Sequence, residues 1–181
     1  KPETGDYSFY PFKESEQEHS TFLSTAMWID GSNRVWLGGD KGRLFLLDQS
    51  SGRYHSIKID CLRSPNDQLQ VITGNEHFIY LGFQYPGIIR YDLSKKSFSN
   101  LSLGVDEREV VFVHDILIDE NILWVATEKG LYSYDETTKR TTRLKRDYFD
   151  PLSLSDNAIY SVYKDRDNGL WVGTYFGGIN Y

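Results

Sequence analysis

Residues 159–181 read IYSVYKDRDNGLWVGTYFGGINY. An alternating run, with Ile159, Ser161 and Tyr163 on one side and Tyr160 and Val162 on the other, meets a polar turn at 165–169. A second run, LWVGT at 170–174, leads to the pair Gly177-Gly178, and a third run begins at Ile179. Short runs with a period of two, parted by Asp, Asn and Gly, are the pattern of antiparallel strands joined by tight hairpins.

The unit recurs three times upstream. The aromatic of the middle run falls at Trp36, Tyr80, Trp124 and Trp171, spaced 44, 44 and 47 residues apart. A glycine opens the third run at Gly42, Gly87, Gly130 and Gly177, and an Asp closes it at Asp48, Asp92 and Asp135. The copies read VWLGGDKGRLFLLD, IYLGFQYPGIIRYD, LWVATEKGLYSYD and LWVGTYFGGINY. Chance does not hold such landmarks in register through four copies. A period near 44 residues with short strands and no helical periodicity predicts an all-β chain, a β-propeller made of four-stranded antiparallel blades.

The blades are expected at about 23–57, 69–101, 110–144 and 159–181, the whole of 1–181 being one partial propeller. The last blade would hold three strands. Residues 7–12 would form an orphan outer strand behind the turn chemistry of PETG. Trp36, Trp124 and Trp171 would be inter-blade core. The glycines that follow them (Gly38, Gly82 and Gly173, with Ala126 in blade three) would let a neighbouring blade approach closely.

Composition excludes several classes. Twenty basic against 26 acidic residues give a net charge of −6, which disfavours a binder of nucleic-acid backbone. The 15% aromatic fraction suits sheet packing. A lone Cys61 cannot form an internal disulfide, and no apolar run is long enough to span a membrane. Lys1 is not an initiator Met, so the chain reads as a processed or excised piece.

Motifs for chemistry are few. The turn DRDNG at 165–169 is off-register for a calcium loop and reads as a hairpin turn. It also resembles the Asp-box of sialidase propellers, but it is one residue short before the Trp. His114 and Asp115 are neighbours on a predicted inner strand, so they point to opposite faces and are no dyad; His114 reads as a core or channel-facing residue. There is no GxSxG elbow, no P-loop and no GxGxxG. No catalytic residue, metal ligand or cofactor is assigned.

Strand direction places one candidate surface. The inner strand of each blade starts from the inter-blade connector, and the second strand ends in the loop before the repeat glycine. Both loops therefore share one face. That face would carry Asp40 and Lys41, Phe83, Gln84 and Tyr85, Glu128 and Lys129, and Tyr175 and Phe176. Aromatics beside charged and amide groups suit sugars, whose C–H faces stack while their hydroxyls hydrogen-bond.

Residues 153–181, SLSDNAIYSVYKDRDNGLWVGTYFGGINY, resemble the two-component regulator propeller repeat, with its Leu-Ser-x-Asn entry, Ile-x-Ser-Ile/Val strand, Asp/Gly turn, LWIGT, Gly-Gly-Leu and closing Tyr-Asp. LWVATEKGLYSYD resembles it with Ala126 for the usual glycine; VWLGGDKG and IYLGFQYPG do so more loosely, and KPETGDYSFY is similar to that family's hairpin. The resemblance implies part of a seven-bladed propeller in the extracytoplasmic, periplasmic sensor region of a hybrid two-component regulator. It implies an oligosaccharide ligand and signalling to a histidine kinase and response regulator outside this chain, with no enzyme activity in the fragment. A propeller enzyme (lyase or glycosidase) and a protein-interaction propeller are the alternatives. The end blades need neighbours: residues 7–12 could complete blade four and close a small ring, or the arc stays open and is covered by the remaining repeats or another copy. The open arc, with self-association of the isolated piece, is the expectation.

Overall fold

Blades one to three each turn the third strand into the fourth on an Asp, and that Asp explains the repeat landmark. Asp48 Oδ1 accepts the Ser50 N–H at 2.9 Å, Asp92 Oδ1 accepts from Ser94 and Lys95 at 2.9 Å each, and Asp135 Oδ1 accepts the Thr137 N–H at 2.7 Å. An Asp side chain that satisfies the turn's N–H groups stops a strand without leaving donors bare. The Ser94 hydroxyl and the turn N–H groups hold the Asp92 carboxyl down to about 2, below its ordinary value.

The computed structural model describes residues 8–12, 22–62, 64, 66–84, 87–104 and 111–181. Blade one is β1 (Ser24–Ile29), β2 (Val35–Gly39), β3 (Leu44–Asp48) and β4 (Arg53–Ile57); blade two is β5 (Leu69–Gly74), β6 (Phe78–Phe83), β7 (Ile88–Asp92) and β8 (Ser97–Leu101). Blade three is β9 (Val113–Asp119), β10 (Ile122–Thr127), β11 (Gly130–Asp135) and β12 (Thr141–Leu144); blade four is β13 (Ile159–Lys164), β14 (Leu170–Thr174) and β15 (Ile179–Asn180). Every sheet is an antiparallel meander in chain order, three of them four-stranded and the last three-stranded. Among the described residues no α-helix forms.

The sheets stack face to face like the blades of a propeller. Inner strands adjoin in sequence, β1 on β5, β5 on β9 and β9 on β13, and blades one and four share no contact of comparable extent. The arc is open. One core joins blades one and two through Trp36, Leu44, Leu69, Ile72 and Leu81; a second joins two and three through Tyr80, Ile88, Val113, Leu123 and Val125; a third joins three and four through Ala126, Leu131, Ile159, Val162 and Val172. Gly38 and Gly82 show why the repeat needs a small residue there. A Cβ at Gly38 would collide with Leu69 and one at Gly82 with Val113, each the first residue of the next blade's inner strand, and the latter also with Val71 of its own blade.

Polar links cross the same seams. The Tyr80 hydroxyl of blade two donates to Glu136 Oε1 of blade three at 2.9 Å, and Arg90 Nη1 reaches Glu136 Oε2 at 3.1 Å. Lys164 of blade four pairs with Asp119 of blade three at 2.6 Å. The Val162 N–H donates to Asp115 Oδ2 at 3.0 Å. These bonds pin the blades in register where apolar packing alone would let them slide.

Two expectations change. Residues 8–12 form no strand, and Tyr7 lies outside the described residues. The segment docks on blade one instead of completing blade four. Phe12 sits 4.7 Å from Phe22, 4.9 Å from Phe45 and 5.1 Å from Tyr54, whose hydroxyl donates to the Tyr10 carbonyl at 2.9 Å. An aromatic nest wins over a ladder that would leave Phe12 bare. Trp171 is not inter-blade core either: it is 40% exposed, while Trp36 is 2% and Tyr80 1% exposed. Each of the latter rings is covered by the following blade, and no described residue plays that part for blade four.

Candidate functional site

One residue near the start of every inner strand escapes the ladder. Ser24 pairs with Gly39 and Ala26 with Gly38, so Thr25 is skipped. The same register shift skips Gln70, His114 and Tyr160. These are β-bulges, and a bulge turns a side chain away from the alternating pattern. The residue just before each of the last three, Leu69, Val113 and Ile159, is fully buried. Packing thus holds the strand while the bulge residue is left for other work.

The loops that follow the second strands lie at the same end. The Asp40 N–H donates to the Leu23 carbonyl at 3.1 Å, Gln84 to Gln68 at 3.2 Å and Tyr175 to Ala158 at 2.9 Å. These bonds fasten each loop to the residue preceding its own inner strand. Bulge residues and loops together form the upper rim of the arc.

A hollow of about 180 Å³ opens there between blades two and three, lined by Gln70, Gln84, Phe112, Val113, His114 and Glu128. Beside it runs a row of rings. The His114 imidazole lies on Tyr160 with centroids 4.0 Å apart and planes 15° from parallel. Tyr160 stacks on Tyr175 at 5.1 Å, and Tyr175 meets Phe176 edge-on at 4.3 Å. Tyr160, Tyr175 and Phe176 are 43%, 58% and 86% exposed. The row is a ledge open to solvent that continues from the hollow.

His114 sits at the junction. Its Nε2 is shielded from solvent, has no hydrogen-bond partner and lies 3.6 Å from Glu128 Oε1, too far for a hydrogen bond. Burial pushes the His114 pKa below the usual histidine range, against the pull of Glu128, so the ring is neutral at pH 7. Further along the rim the Phe176 N–H donates to Asp156 Oδ2 at 3.1 Å, and that bond leads the causes that hold Asp156 below its ordinary value.

Of the residues expected at the site, Gln84 and Glu128 line the hollow, and Tyr175 and Phe176 belong to the ledge. Phe83 is a correction: it is fully buried in the core of blades one and two, because strand alternation points it inward at the end of β6. Tyr85 lies outside the described residues. Asp40 and Lys41 occupy a tight turn in blade one, where Asp40 pairs with Arg43 at 2.6 Å and lines no part of the hollow. Lys129 is exposed beyond Glu128, and its carbonyl accepts from Arg143 Nε at 2.7 Å. Gln70, Phe112, His114 and Tyr160 were missed as site residues. A bulge leaves no mark in an alternating sequence; the only signal was polar or aromatic residues at the second position of aligned inner strands. Among the described residues no three His, Cys, Asp or Glu side chains gather to hold a metal ion.

Residues 153–176 match the model of the two component regulator propeller family. These residues are similar to a two component regulator propeller repeat. The matched repeat spans the connector into β13, the bulge residue Tyr160, and Tyr175 and Phe176 of the ledge. No curated protein sequence matches the chain. Among solved structures, the extracellular domain of BT4673 from B. thetaiotaomicron, assigned to the hybrid two component systems, superposes with TM-score 0.74 at 20% identity, over 86% of this chain and 21% of that one. The extracellular domain of BT3049 from B. thetaiotaomicron, with the same assignment, gives TM-score 0.56 at 20% identity, over 86% of this chain and 26% of that one. The computationally designed Ika4 protein gives TM-score 0.62 at 16% identity, over 90% of this chain and 92% of that one. At these identities the likeness is one of fold. The chain spans about a fifth of the BT4673 domain.

Proposed function

We propose that this chain is part of the ligand-sensing propeller region of a hybrid two-component regulator, and that its upper rim recognises a short glycan. The observation that carries the reading is the stacked row His114–Tyr160–Tyr175 beside a hollow lined by Gln70, Gln84 and Glu128. Flat exposed rings next to amide and carboxylate groups fit the two faces of a sugar. The hollow is smaller than the roughly 300–1,000 Å³ of a full ligand site, so one ring-sized unit enters it and the rest of a longer ligand lies along the ledge. The matched family repeat and the fold of the extracellular neighbours support the sensor role.

On this reading the fragment itself performs no catalysis. It works in the periplasm, and signalling passes to a histidine kinase and response regulator outside these residues. No helix of the described residues is long and apolar enough to cross a membrane. The bare face of blade four is where the remaining repeats of a larger, seven-bladed ring, or another copy, would pack. The test is a thermal-shift screen of the chain against short oligosaccharides, because a ligand that binds only the native state raises the melting temperature. A hit that disappears in Tyr160→Ala and Tyr175→Ala supports the rim; a hit untouched by both places recognition elsewhere.

A further inference from the structure

We infer that the rim between blades two and three discriminates by charge: it accepts uncharged polyhydroxyl ligands and rejects sugar acids and sulfated sugars, with Glu128 as the selecting residue. This rests on the glycan-sensing reading and narrows it. Among the described residues six line the hollow, and two of these can carry charge, His114 and Glu128. Burial keeps the imidazole neutral at pH 7. The described lining therefore presents a carboxylate, two amides and apolar surface, and none of its described residues is Lys or Arg.

The described cations nearby in sequence lie outside the lining. Arg143, on the outer strand β12, donates to the Lys129 carbonyl and lies over the Tyr132 ring at 5.5 Å. Arg90 is bound to Glu136. Lys129 is exposed at the tip of the turn, past Glu128. The ledge brings a second carboxylate, Asp156, held under the Phe176 backbone. A negative ligand in the hollow would meet the Glu128 carboxylate, 41% exposed, at contact distance, and like charges at that distance repel even where solvent screens them. A neutral ligand gives Glu128 hydroxyl donors instead, and a hydrogen bond to a charged acceptor is among the stronger kinds. Glu128 has room to take them: it is bound to no partner at hydrogen-bond distance, His114 being 3.6 Å away.

The probes are short galacto-oligosaccharides and the matching galacturonate oligosaccharides, titrated calorimetrically into the whole chain at pH 7. The expected result is binding of the neutral series and at least tenfold weaker binding of the acid series. Raising the salt concentration should narrow that ratio, since screening weakens the repulsion. In Glu128→Gln the ratio should fall towards one, with the melting temperature of the variant confirming its fold. Acid sugars that bind as well as or better than neutral ones overturn the charge rule and leave the glycan reading standing. A wild-type preference unaltered in Glu128→Gln also overturns it, since another group then selects. If neither series nor any other sugar binds, the glycan reading fails and the charge rule falls with it.

Discussion

The Trp36 indole N–H donates to Asp30 Oδ2 at 3.0 Å inside the seam between blades one and two. Asp30 also takes the Ser32 and Arg34 N–H groups at 2.9 Å each and Arg34 Nε at 2.6 Å. Burial works to raise the Asp30 pKa, but these four donors outweigh it and hold the carboxyl below its ordinary value. Blade four repeats the device in the open: Trp171 donates to Asp165 Oδ2 at 2.6 Å. Blade three cannot, because its first turn is three residues shorter, only Glu120 and Asn121 separating the strands, and holds no Asp; Trp124 Nε1 is buried with no partner among the described residues.

The contrast predicts unequal costs for one substitution. Trp36→Phe removes a satisfied donor and opens a gap at Asp30, whereas Trp124→Phe removes an unsatisfied one. Trp36→Phe should cost about 1–2 kcal/mol more than Trp124→Phe. Urea unfolding of the two variants measures the difference, and equal costs would contradict the account.

Glu136 is the polar hinge pin between blades two and three. Burial raises its pKa, but Lys139 at 2.7 Å, the Tyr80 hydroxyl and Arg90 outweigh that and hold it low. Glu136→Ala strands the Tyr80 hydroxyl and frees Arg90, at an expected loss of about 1–3 kcal/mol. Tyr80→Phe in the same background should then cost little, because its partner is already gone.

Acidification should weaken the native state through His114. Its pKa is depressed in the fold by burial, so the unfolded chain takes up the proton first, from about pH 6.5 downward. The contribution of the neutral ring is complete above that value and is lost as pH falls through the folded pKa. Glu128 and the stacked Tyr160 face the ring, and Gln70 and Gln84 line the same hollow. The melting temperature should drop between pH 7 and 5.5, and His114→Gln should flatten that interval. A His114→Gln variant with the wild-type slope would assign the effect to other groups.

Blade four presents Tyr163, Trp171, Ile179 and Tyr181 to solvent at 63%, 40%, 73% and 79% exposure. Tyr163 and Trp171 are cross-strand partners, and Tyr181 lies 4.6 Å from the Trp171 ring. A contiguous apolar surface of this kind seeks a cover. Light scattering of the 1–181 chain should show self-association, which Tyr163→Lys should suppress. A monomer at micromolar concentration would reject it.

The fold was legible because its signals are local and repeated. Alternation set the strands, Asp and Gly set the turns, and the 44-residue spacing of Trp36, Tyr80 and Trp124 set the blades. The site was half legible. Strand direction gave the end of the sheets at which Gln84, Glu128, Tyr175 and Phe176 sit, but Phe83 was counted with the loop when it is the last residue of β6, on the buried face of Ile79 and Leu81, and only Gln84 beyond it lines the hollow. His114 and Tyr160 needed three dimensions, since a skipped ladder position and a ring stacked across two blades depend on partners 46 residues apart. The docking of residues 8–12 was misjudged for a related reason: Phe12 has aromatic neighbours in space that no period in the sequence announces.

The bulge at the head of each inner strand separates two kinds of selection. Leu69, Val113 and Ile159 answer to the scaffold, and any change there is felt across a seam. Thr25, Gln70, His114 and Tyr160 stand outside the ladder and already differ from blade to blade, although Thr25 still bonds the Leu69 carbonyl across a seam. Mutation can rewrite the rim one position per repeat while the arc keeps its shape. Each duplication of the unit then delivers a new variable position in a frame already built to hold it.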